Sequence, residues 1–118
     1  MQSARFAHHR LLAFPLVLEA LVKGDAIAKG LPRGCAKLAD QLQRALLGAY
    51  LQFSEGAARE GNDRNARLRW SRAEAAEAAA ALEAAVALKL AAAEPAEHVI
   101  ALLDRFSAMV TGLGKLNK

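Results

Sequence analysis

A single cysteine, Cys35, stands among 118 residues, so no internal disulfide staples the chain, and a reducing compartment suits it. Aromatic residues make up only 5% of the sequence, and β-branched ones are few. That shortage argues against a sheet, whose strands draw on Val, Ile, Thr, Tyr and Phe. Long apolar runs are missing too. The weakly polar stretch 78–93 is too short to span a bilayer and carries Glu83 and Lys89. The amino terminus lacks the continuous apolar core of a signal peptide, because Arg5, His8, His9 and Arg10 interrupt it. These absences point to a soluble, cytoplasmic protein with no membrane partner.

What the chain has in quantity is Ala and Leu, the leaders of the helix-propensity scale. Its length fits one domain able to bury about two thirds of its unfolded surface. Proline and glycine punctuate four helical segments. Pro15 suits a first helical turn, where its missing N–H costs nothing, and a helix beginning near Ala7 would instead be kinked there. The first helix is expected over 14–29, with Leu18, Leu21, Val22 and Ile27 facing inward. Gly30-Leu31-Pro32-Arg33-Gly34 stops it. A second helix follows over 33–59, a third over 63–93 after Gly61-Asn62-Asp63, and a fourth over 95–113 after Glu94-Pro95. Residues 1–13 read as a tail, and 114–118 as a basic, frayed end. With such short connections, 14–116 is expected to be one all-α domain, an antiparallel up-down-up-down four-helix bundle.

The second segment is the most informative. Leu38, Leu42, Ala45, Ala49 and Phe53 recur at helical spacing and form a packing seam. Gln41, Arg44, Ser54, Glu55 and Gly56 overlay a polar pattern that packing does not require, read here as a structural motif fixing the second helix against the third. A turn centred near Asn62 sets Gly48 opposite Ala76, Arg44 near Glu77 or Glu83, and Glu55 near Arg69 or Arg72. Gly56 inside a helix costs about 1 kcal/mol against Ala, which implies a close helix approach. The third segment is Ala- and Leu-covered nearly all round. That pattern fits coverage by another subunit, or simply high helix propensity.

Catalytic and ligand-binding patterns are scarce. No His-x-x-x-His, Glu-x-x-His or Cys-x-x-Cys spacing occurs, and no Gly-rich phosphate loop. Cys35 and His98 both open helices, but a lone cysteine there is ordinarily a small hydrophobe. The expectation is a protein that is not an enzyme and takes no cofactor or metal. Charge is the remaining clue. The net charge is +4, and Arg59, Arg64, Arg67, Arg69 and Arg72 crowd together against Glu60 and Asp63, whereas the chain from Glu74 to Glu97 is acidic. Such a cluster fits a polyanion partner, or a solvated, salt-bridged helix end.

The order Leu31-Pro32, Gln41-Leu42-x-Arg44-Ala45, Ser54-Glu55-Gly56-x-x-Arg59 and an Ala/Glu/Leu-rich third helix resembles the bacterial four-helix bundle protein family. That family includes proteins encoded in intervening sequences of large-subunit ribosomal RNA genes and the accessory variability determinant of diversity-generating retroelements. The resemblance spans Phe14 to Leu116. Gln52 departs from it, where many relatives carry Asn before an Ile-Ala-Glu-Gly run, and so do Phe53 and Ser54. The resemblance implies a small cytosolic bundle forming a five-membered ring, in some members with a basic surface that contacts nucleic acid or a reverse transcriptase. Two functions compete. One is a non-enzymatic, ring-forming protein that binds nucleic acid, or a nucleic-acid enzyme, through its Arg-rich end. Trp70 is the one aromatic there, so base readout is not expected. The other is a purely structural or protein-binding adaptor whose arginines only pair with Glu55, Glu60 and Asp63.

Overall fold

The apolar repeats become four α-helices in the computed structural model, which describes residues 6–116: α1 (Ala13–Lys29), α2 (Ala36–Ala57), α3 (Gly61–Ala87) and α4 (Ala93–Leu116). No strand occurs among the described residues. A 3-10 turn over Ala7–Arg10 precedes α1 and packs on α1 and α2. Part of the expected tail is therefore ordered against the bundle, its His8 ring lying edge-on to Phe14 and Tyr50. Residues 1–5 and 117–118 of the expected tails lie outside the described residues.

Each helix packs on two others, in the ring α1–α2–α3–α4–α1, and the diagonal pairs have no close backbone approach. Neighbours run antiparallel. Asp25 meets Gln43 while His8 meets Tyr50, and Glu55 meets Arg67 while Ala49 meets Ser71. Likewise Glu19 meets His98 while Ile27 and Glu94 line one groove, and Arg72 meets Thr111 while Ala87 and Glu97 line another. The α1 N-terminus, the α2–α3 turn and the α4 C-terminus therefore share one pole.

The core takes most of the seam read from the second segment: Leu42, Ala45, Ala49 and Phe53 are buried and Leu38 packs half-buried against them, while Val99, Leu103, Phe106 and Val110 of α4 are buried too. Phe53 and Phe106 meet edge to face across the bundle centre, 5.3 Å between centroids. Val22, expected inside, is instead 63% exposed, because α1 turns Val17, Ala20 and Gly24 to the core. Gly24 is there for space: a Cβ would lie 2.5 Å from Leu46 Cδ1.

Boundaries differ where turns intervene. Pro32 to Cys35 forms a turn closed by Cys35 N–H on the Pro32 carbonyl (3.1 Å), with Gly34 at φ 94°, so α2 starts at Ala36 rather than 33. α3 ends at Ala87, not at 93. Lys89 adopts φ 61°, its N–H donating to the Val86 carbonyl and that of Leu90 to Ala85 (2.9 and 2.8 Å). This pair of bonds is a Schellman closure with lysine where glycine is usual. Ala93 and Glu94 then open α4, placing Pro95 in its first turn, as Pro15 is in the first turn of α1.

Candidate nucleic-acid interface

The α2–α3 turn pivots at Gly61, whose φ is 59°, rather than at Asn62, and this shifts the cross-helix register by about half a turn. Glu55 accordingly meets Arg67 (2.6 Å), not Arg69 or Arg72. Arg67 is the hub of the pole. Its side chain is only 23% exposed and also reaches Asp63 (3.4 Å) and Gln52 (3.3 Å). Its guanidinium carbon stands 6.0 Å from the centre of the half-exposed Trp70 ring, at the outer limit of a cation–π contact.

The other arginines are held more loosely. Arg59 reaches Asp63 at 3.8 Å. Arg72 donates to the Thr111 hydroxyl on α4 at 2.8 Å, a neutral acceptor, and has no carboxylate within ion-pair distance among the described residues. Arg69 is exposed, and neither it nor Arg64 has a carboxylate within ion-pair distance among the described residues. Arg64 Nε and Asn65 Oδ1 are buried without a hydrogen-bond partner among the described residues. The five arginines do not form one flat rim. Arg59 precedes α3, and the other four descend about 12 Å along it from Arg64 to Arg72, with Arg72 turned toward α4.

The remaining motif residues sit nearby. Gly56 is buried, and a Cβ there would press on Leu68 Cδ2 (3.1 Å) and Arg67 Cβ (3.3 Å), the close approach its presence implied. Ser54 bonds the Tyr50 carbonyl of its own helix (2.9 Å), and Gln41 is exposed. Arg44 is exposed and pairs with Asp40 one turn back (3.5 Å) instead of Glu77 or Glu83. Opposite Gly48 stands Glu74, not Ala76. Burial in this seam, aided by the charge of Glu77 and opposed by Arg44, pushes the Glu74 carboxyl above its ordinary value. Ser71, fully buried, bonds the Ala49 carbonyl at 2.7 Å and ties α3 to α2. Spacing alone gives no hint of Ser71 or Glu74, because their partners lie on another helix.

A second polar cluster lies on the α1–α4 side. Glu19 binds Lys23 (2.7 Å) and the His98 ring (3.1 Å), and these contacts, Lys23 foremost, hold its carboxyl below the ordinary value. His98 thus engages α1 and not Cys35. Among the described residues no group of three potential metal ligands gathers, and no helix is long and apolar enough to cross a membrane. No protein-family model matches the chain, and no curated protein matches its sequence.

Proposed function

We propose that this chain is a non-enzymatic, cytoplasmic bundle protein of the bacterial four-helix bundle family it resembles. In this reading it assembles into a ring of five copies and binds nucleic acid, or a nucleic-acid enzyme such as a reverse transcriptase, through Arg59, Arg64, Arg69 and Arg72. The observation that carries the reading is the convergence of Glu55 and Asp63 on Arg67. That hub engages Glu55 and shares Asp63 with Arg59, and so leaves Arg64, Arg69 and Arg72 without a carboxylate among the described residues and available to phosphate, which arginine grips bidentately. Arg67 becomes a structural strut, and the looser arginines become the contact. Repeating the pole around a ring adds weak contacts by multivalency.

Binding of this kind is blind to sequence and weakens steeply with salt. Retention of labelled DNA and RNA across a salt series tests it. Wild type should bind at low salt, and the variant Arg59→Gln, Arg64→Gln, Arg69→Gln should lose binding while keeping its helicity and assembly size. Wild type that retains neither polymer at low salt would establish the alternative, a purely structural or protein-binding adaptor.

A further inference from the structure

The solvent face of α2 carries a pattern that the core does not use and of which the arginine pole engages Glu55 alone. Arg44, Leu47, Leu51 and Glu55 recur at spacings of three, four and four, and all four are exposed. They form one stripe about 16 Å long. Leu47 and Leu51 are 47% and 48% exposed. Turned end for end, the stripe is complementary to itself. Two leucines occupy its centre, a cation stands at one end and an anion at the other, each three or four residues from the nearer leucine.

We infer that this stripe is a two-fold docking surface for a second copy of the chain, with the two α2 helices packed antiparallel about a point midway between Leu47 and Leu51. A two-fold axis there sets Leu47 of one copy against Leu51 of the other and Arg44 against Glu55, twice over. The apolar pairs exclude water, and the charge pairs fix antiparallel over parallel packing, in which like charges would meet. The intramolecular partners of these charges leave room for this. Arg44 holds Asp40 at 3.5 Å with 77% of its side chain exposed, and Glu55 remains 53% exposed beside Arg67.

The contact is independent of the proposed ring, and sedimentation equilibrium of the full chain separates the two. A dimer supports the two-fold surface and removes the ring; ten copies support both. Five copies keep the ring and overturn the two-fold surface, and a monomer at millimolar concentration overturns both. Leu47→Glu with Leu51→Glu should weaken the two-fold association at least about a hundredfold while leaving the helical signal unchanged. Register is tested by mixing Cys35→Ser, Leu47→Cys with Cys35→Ser, Leu51→Cys under oxidising conditions. The mixed disulfide should form well ahead of either self-paired one. Equal yields of all three, or no cross-link, would overturn the antiparallel arrangement.

Discussion

Two glycines at helix contacts separate close packing from mere proximity. A Cβ at Gly24 would meet Leu46, itself almost fully buried, whereas one at Gly48 would meet the Glu74 carboxylate at the end of a flexible chain. Gly24→Ala should therefore destabilise the fold by about 1–3 kcal/mol through overpacking. Gly48→Ala should stabilise it by up to about 1 kcal/mol, because the helix gains propensity and the carboxylate swings aside. Urea midpoints of the two variants moving in the same direction would refute this account. Glu74 supplies a pH signature. Its raised pKa means that the folded state favours the protonated form. That contribution is fully present below the unfolded carboxylate value and is lost as pH rises through the raised folded value. Glu74→Gln should raise the melting midpoint at neutral pH and give no gain in strong acid. Glu19 and Asp25 act in the opposite sense. Lys23 and His98 lower the first, and Lys29 and Gln43 the second, so their stabilisation holds above the unfolded value and fades as pH falls.

At the scale of the element, the end of α3 shows a local rule overridden by its neighbours. Ala and Leu continue past Ala87, and nothing in their propensity stops a helix. The chain stops because α4 must return alongside α3, and Lys89 takes the left-handed conformation that closes the turn. A side chain in that region costs roughly 1–2 kcal/mol. Lys89→Gly should accordingly stabilise the protein by about 1 kcal/mol, visible as a higher thermal midpoint with unchanged helicity. A lower midpoint would mean that the lysine side chain has a role of its own. The Pro15 and Pro95 turns obey their local rule, since each proline falls where a helix needs no N–H.

Across the whole molecule, the diagonal helices communicate through side chains alone. The α2 and α4 backbones stay apart, yet Phe53 and Phe106 stack edge to face between them, both fully buried. A double-mutant cycle on Phe53→Leu and Phe106→Leu should give a coupling of about 0.5–1.5 kcal/mol, beyond the separate loss of packing volume. Strict additivity would place the two rings in independent subclusters rather than at one centre.

Helix existence, the seam Leu42–Ala45–Ala49–Phe53 and the first-turn prolines were legible in the sequence, because periodicity and proline chemistry act within a few residues. The same locality made Gly56 readable as a close approach. Tertiary structure decided the rest. Whether Arg67 or Arg69 reaches Glu55 depends on a half-turn difference in register, set by the positive φ of Gly61 and by how α2 and α3 interdigitate. Val22 faces water and Lys89 ends a helix for a similar reason: each outcome is fixed by which neighbouring helix claims the space, and that competition is settled only when all four pack together.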